Sequence, residues 1–200
     1  MRRRDAVGST LGLAGLALFA RGSTNEDLGR LVGLSGGRSA VDVQKTINVN
    51  APVADVFAYF TDWEHFPQWM SHVREVRASG PRGALGERTH WVVDGPAGAT
   101  VEWDAETTRF EPEALVAWKS VDGAAIRQAG IIRFDRTGDA ATRVSVRMTY
   151  NPPGGAAGHA VATLFGRDPK RQMDDDLARL KTMIETGTPP RDAASAMSAG

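Results

Sequence analysis

From about Gly155 to Thr186 the chain reads as one long helix, interrupted at Gly166-Arg167-Asp168-Pro169. There Asp168 can N-cap a second segment and Pro169 fits its first turn. Beyond the break Met173, Leu177, Leu180 and Ile184 recur at spacings of four, three and four. That rhythm puts one apolar stripe on one face, while Lys170, Arg171, Asp174, Asp175, Arg179 and Lys181 cover the rest. Val161, Leu164 and Phe165 continue a similar stripe ahead of the break. A helix of this length with a single apolar side requires a large concave partner, and the middle of the chain offers a run of strands.

Read in order, Val41, Val43, Ile47 and Val49 alternate as in a half-buried strand. Pro52 then opens a helix with Val53, Val56, Phe57 and Phe60 on one side, and a second short helix after Asp62 carries Trp63, Phe66, Trp69 and Met70. Six strands are predicted at His72–Ser79, Glu87–Asp94, Ala99–Phe110, Ala114–Val121, Ala124–Asp135 and Thr142–Tyr150. The turns between them carry hairpin chemistry at Asp94-Gly-Pro, Asp122-Gly123 and Thr137-Gly138-Asp139. Short connections make the six strands neighbours in a meander, and a curved sheet of this kind can wrap the last helix. The expected fold is α+β, a helix-grip arrangement, with two short helices closing one end.

Outside this domain the sequence says less. Met1-Arg-Arg-Arg4 leads into an uncharged run, Ala6 to Ala20, which as a helix would span about 22 Å, short of the roughly 30 Å hydrocarbon core. Three readings stay open for it: a membrane-contacting or truncated spanning helix, a cleaved signal, or a packed helix. Ser23-Thr24-Asn25-Glu26 resembles a capping box ahead of a short amphipathic helix, and Gly33 to Ala40 reads as a linker. The expected division is therefore 1–40 for these segments, 41–187 for the domain and 188–200 for a disordered tail. With 24 basic and 24 acidic residues the formal net charge is zero, which gives no ground for a nucleic-acid partner. The absence of cysteine removes disulfides, thiolate nucleophiles and cysteine-based metal sites.

The opening Lys45-Thr-Ile-Asn-Val-Asn-Ala-Pro-Val-Ala-Asp-Val-Phe57 and the segment Asp62-Trp-Glu-His-Phe-Pro-Gln-Trp-Met70 resemble the START-like superfamily of polyketide cyclases/dehydrases and coenzyme-Q-binding proteins. His90-Trp91, Val101-Glu-Trp-Asp-Ala105, Ala117-Trp-Lys-Ser120 and Leu164-Phe-Gly166 are similar to a bacterial branch of it. The resemblance covers about residues 42 to 187. It implies the fold strongly and an activity only weakly, because this superfamily holds binding proteins, transfer proteins and some enzymes on one scaffold.

Strand alternation sorts the candidate site. Val101, Trp103, Ala105 and Thr107 share one face, and Glu102, Asp104 and Glu106 the other, where they are expected in solvent with Arg143 and Arg147 near enough to pair. Val144, Val146, Met148 and Tyr150 point inward on the last strand. Ile126, Gln128, Gly130, Ile132 and Phe134 share a face on the strand before it. Gln128 there must either bond a neighbouring strand or water, or orient a ligand carbonyl or hydroxyl. Gly130 leaves room for a bound molecule or for the helix. Trp91, Trp103 and Trp118 fall on adjacent strands, with Trp63 and Trp69 in the short helices. They form either a Trp-rich core or the lining of an apolar pocket.

Of the four histidines, His65 and His72 read as surface or capping residues, and His90 faces out if Trp91 faces in; the other register would put His90 in the cavity as a base. No histidine pair has metal-ligand spacing and no nucleophile elbow occurs. The expected function is binding or transfer of a hydrophobic small molecule (quinone, lipid or polyketide-like) between sheet and C-terminal helix. Gating is expected from the Trp63–Met70 helix or the Pro81–Gly86 loop, with no cofactor and no metal. The ligand-binding candidates are Trp69, Trp91, Trp103, Trp118, Gln128, Met148, Tyr150 and Phe165. The alternatives are a cyclase/dehydratase-type enzyme using Gln128, Tyr150 and His90, and a membrane-associated accessory protein. The expected location is cytoplasmic, with membrane contact through residues 6–20 left open.

Overall fold

The computed structural model describes residues 41–94, 100–151 and 169–188. Strand β1 (Val41–Val49) is followed by helix α1 (Val53–Thr61) and a 3-10 helix, Trp63–Gln68. Strands β2 (Val73–Ser79), β3 (Arg88–Asp94), β4 (Thr100–Glu111), β5 (Leu115–Ser120), β6 (Arg127–Gly138) and β7 (Ala141–Asn151) come next, and helix α2 (Pro169–Thr186) ends the described chain. All seven strands form one antiparallel sheet in the order β1-β7-β6-β5-β4-β3-β2. The six later strands are a meander, as their short connections require, and β1 closes against the last of them. This is the predicted helix-grip fold. The break before Pro169, the stripe containing Phe165 and the N-terminal segments lie outside the described residues.

Helix α2 lies where the stripe demands. Leu177 and Leu180 of the stripe are buried in one core cluster with Trp91, Trp103, Ile132, Phe134 and Val146 of the sheet; Met173 and Ile184 are only partly buried against it, and Met183, outside the expected stripe, is buried in it. Polar contacts fasten its flank to β1. Lys45 Nζ lies 2.6 Å from Asp174 Oδ2, Lys181 Nζ donates to the Asn48 carbonyl at 2.8 Å, and Glu185 Oε1 accepts the Asn50 N–H at 2.7 Å. At the other side α1 presents Val56, Phe57 and Phe60 to the same core. Phe57 packs edge-on against Phe110 and Phe134 with ring centroids 5.4 and 5.1 Å apart.

The second short helix differs from the expected one. It is a six-residue 3-10 turn with Pro67 inside it; Trp69 caps it and Met70 lies beyond. Pro67 has no N–H to give the Trp63 carbonyl, so an α-helical bond is missing where the turn would otherwise lengthen. The outer-face ion pairs also differ. Arg147 pairs with Asp42 of β1 at 3.0 Å and Arg143 Nε donates to Asn48 Oδ1, because β7 lies between β1 and β6 and three strands from β4. The β4 carboxylates find nearer partners: Asp104 has His90 at 2.8 Å and Glu106 has Lys119 at 3.1 Å.

Candidate functional site

Between the sheet and α2 is an apolar cavity of about 90 Å³. Six of the eight candidate residues line it: Trp69, Trp91, Trp103, Trp118, Gln128 and Met148. Tyr150 is buried in the core opposite Gln128 in the β6–β7 register and is not among the lining residues; burial raises its phenol pKa. Phe165 lies outside the described residues. Sites for drug-sized ligands run to about 300–1,000 Å³, so entry of a larger molecule requires side chains to move. Met70, Met148 and Met173 all line the cavity, and their unbranched thioether chains can change rotamer at little cost.

The aromatic wall is built by strand register. Trp91 and Trp103 are directly opposed across β3 and β4, and their rings stack 5.8 Å apart at 5°. Trp63 meets Trp91 and Trp118 edge-on at 6.3 and 6.2 Å, and Phe66 stands between Trp69 and Trp91. Trp118 is paired with Gly130, and its ring lies across the glycine so closely that a Cβ there would fall 2.2 Å from Cζ2. The space that Gly130 leaves is therefore taken by Trp118, neither by α2 nor by open cavity.

Both expected gates are held by one carboxylate. Glu87, 2% exposed, accepts the Trp63 Nε1–H at 3.1 Å and the Gly83 N–H at 3.2 Å through the same oxygen, Oε2. It thus ties the 3-10 helix to the Pro81–Gly86 loop. Glu87→Ala strands both donors, and a hydrogen bond to a charged group is worth about 1.5–3 kcal/mol. The expected loss in urea-melt stability is about 2–3 kcal/mol, against under about 1 kcal/mol for Glu87→Gln, which keeps an acceptor. Equal losses in the two variants would show that the tether does not depend on the acceptor.

Three polar residues of the cavity wall, His72, Gln172 and Asp176, escaped the sequence reading. His72 was expected as a surface or capping residue, yet its side chain is 13% exposed and lines the cavity beside Asp176, with Nδ1 3.6 Å from Oδ2. Asp176 is 2% exposed; its Oδ1 accepts from Gln172 Nε2 at 3.0 Å and from Arg179 Nη1 at 2.8 Å, and the Ser71 backbone N–H also bonds the carboxylate. Burial pushes Asp176 up to about 6, against the opposing pull of Gln172 and Arg179. Burial, reinforced by Arg179, pushes His72 down to about 4. Near neutral pH the site thus holds a neutral imidazole beside a carboxylate, a pair able to exchange hydrogen bonds or a proton with a polar group placed against it. A signal for Asp176 was present: it stands three residues after Met173 and four before Leu180, on the apolar face. His90, by contrast, faces outward beside Asp104 and Glu102, so it is not the cavity base of the alternative register. His65 pairs with Asp62 at the surface, as expected.

Among the described residues no group of three His, Asp or Glu is placed to hold a metal ion, and no helix is long and apolar enough to cross a membrane.

An antiparallel sheet gripping a C-terminal helix, with an apolar cavity between them, defines a START-like helix-grip protein. Residues 40–185 match the family described as polyketide cyclase / dehydrase and lipid transport, and the chain belongs to that family. It is 36% identical over 143 residues to an uncharacterized 17.2 kDa protein of Streptomyces lincolnensis, covering 72% of this chain and 89% of that one. Among solved structures, a Deinococcus radiodurans protein superposes with a TM-score of 0.59 at 32% identity, covering 74% of this chain and 99% of that one. The Zhui aromatase/cyclase of a Streptomyces species superposes with a TM-score of 0.57 over 76% of this chain and 99% of its own. At 14% identity that second likeness concerns the fold alone.

Proposed function

We propose that this protein binds or transfers a hydrophobic small molecule, of quinone, lipid or polyketide-like character, in the cavity between the sheet and α2. The observation that carries the reading is the wall of Trp69, Trp91, Trp103 and Trp118 brought together with Gln128 and Met148 around one apolar cavity. Each indole can contribute a large share of its area of roughly 150–250 Å² to a ligand without any catalytic group. Glu87 joins the 3-10 helix to the Pro81–Gly86 loop, so opening either gate weakens the other.

A cyclase or dehydratase is the second reading, and the His72–Asp176 pair on the cavity wall is what favours it. Gln128 remains available to polarise a carbonyl, whereas His90 is on the wrong face. Membrane association through residues 6–20 concerns a segment outside the described residues.

Native mass spectrometry of the full-length protein, purified gently from its own host, tests the reading. The expected result is a non-covalent adduct that is lost on denaturation, and that is absent from folded Trp103→Ala and Trp118→Ala proteins. A clean unliganded mass, or an adduct indifferent to both substitutions, would count against it. If the protein is an enzyme, incubation returns the adduct molecule altered in mass, and this change requires Asp176.

A further inference from the structure

The polar groups of the cavity wall are unevenly satisfied. Trp63 donates its indole N–H to Glu87, and Trp91 donates to Thr89 Oγ1 at 2.9 Å. Trp103, 7% exposed and stacked on Trp91, also lines the cavity, but its buried Nε1–H has no hydrogen-bond partner among the described residues. Native interiors rarely leave such a donor unpaired, so an orphan at a ligand cavity marks the place of an absent acceptor. The Gln128 side chain, 5% exposed on the same wall, likewise makes no hydrogen bond among the described residues; only its backbone bonds, through Ser120 Oγ. Among the described lining residues the one ionised group near neutral pH is the Asp176 carboxylate. No Lys or Arg is among the described lining residues, and Arg179 is engaged with Asp176.

We infer that the ligand is uncharged and carries a ketone- or quinone-type carbonyl oxygen that accepts the Trp103 Nε1 proton, and that carboxylate-headed lipids are refused. The inference rests on the reading that this cavity is a ligand site. A carboxylate entering it would lose its water, meet the Asp176 charge and find no Lys or Arg among the described lining residues, each of which opposes binding. A carbonyl brings no charge and supplies what Trp103 lacks. An alkyl group of the same shape fills the space and leaves the donor unpaired.

Three small probes of nearly one shape separate these cases: acetophenone, ethylbenzene and benzoate. They are titrated into the full-length ¹⁵N-labelled protein at pH 7.5. The chain has five tryptophans, and the Trp103 indole cross-peak is identified by its loss in Trp103→Phe. Acetophenone is expected to bind about five- to tenfold more tightly than ethylbenzene and to shift the Trp103 indole signal, as one added hydrogen bond allows. Benzoate is expected to bind at least about a hundredfold more weakly than acetophenone, because its charge is buried unpaired. In Trp103→Phe the preference for acetophenone should fall to within about twofold while ethylbenzene still binds. Asp176→Asn removes the negative charge from the wall, and benzoate should then gain at least about tenfold. Equal affinity for acetophenone and ethylbenzene, or benzoate binding as tightly as the ketone, overturns this inference and leaves the cavity reading standing. Failure of all three probes to bind overturns the cavity reading, and this inference with it.

Discussion

Gly130→Ala is expected to lower stability by about 3 kcal/mol, although it adds one methyl group to a strand whose backbone accepts alanine. The cause is contact, not conformation. The new Cβ would stand 2.2 Å from Cζ2, 2.4 Å from Cη2 and 2.8 Å from Cε2 of Trp118, the residue directly opposite on β5. The strand cannot retreat, because β6 is hydrogen-bonded on both sides, to β5 and to β7. The indole must turn instead, and it then loses its edge contact with Trp63. Partial exposure of Trp118 towards the cavity limits the cost, and replacing Gly returns about 0.4–1 kcal/mol through the unfolded chain. For a domain of this size the net loss corresponds to a fall in Tm of roughly 6–12 °C. The double variant Gly130→Ala/Trp118→Leu isolates the mechanism. Removing the ring removes the clash, so the double variant should be more stable than the sum of the two single changes implies, by at least about 1.5 kcal/mol. Additive losses, or a Gly130→Ala protein within about 0.5 kcal/mol of wild type, would sink the argument.

The same glycine shows where sequence reading stops. Period two correctly placed Gln128, Gly130, Ile132 and Phe134 on one face, and Val101, Trp103, Ala105 and Thr107 on another, because alternation is a property of a single strand. What Gly130 makes room for is a property of two strands: it depends on the register that sets Trp118 opposite it. The outer arginines make the same point. Their outward direction was legible, but their partners on β1 follow from strand order in the sheet. His72 was hidden for a third reason. It immediately precedes β2, where the pairing slips between Val73 and Glu75, and a bulge breaks the parity by which a neighbour's direction can be inferred. Asp176 was legible in principle, as an acid inside an apolar helical stripe. Such a residue reads as a solvated charge unless its spacing from Met173 and Leu180 is counted. The inward direction of Trp91, Trp103 and Trp118 was therefore visible in the sequence, with core or pocket lining left open, whereas the pairing of His72 with Asp176 was not.

That pair couples folding to the transfer of a proton between its two members. Asp176 titrates near 6 in the fold against 3.8 as its ordinary value, so its contribution is fully present below about 3.8 and is lost as pH rises through 6. His72 is displaced in the other direction, from 6.5 to about 4, so its contribution is present above 6.5 and is lost as pH falls through 4. Between pH 4 and 6 the folded site carries its proton on Asp176, while the unfolded chain carries one on His72. Folding moves a proton from one residue to the other and takes up almost none, and the wild-type pair is nearly silent in a stability–pH profile. Removing either member exposes the other. In His72→Gln, stability should rise on acidification from pH 6.5 to 4, on the order of 2 kcal/mol relative to wild type. In Asp176→Asn it should fall by a similar amount over the same range, on the order of 2 kcal/mol. The groups that face the pair stay in place in both variants: Arg179, Gln172, Asp175 and the Ser71 N–H towards Asp176, and Arg179 and Asp94 towards His72. Every other titrating residue is common to the three proteins and cancels in the difference. Urea melts at half-unit steps across this range decide the matter, since the two difference profiles must slope in opposite directions. Parallel profiles would mean that the proton does not change hands between these residues on folding, and would remove the protonation states assigned to the His72–Asp176 pair.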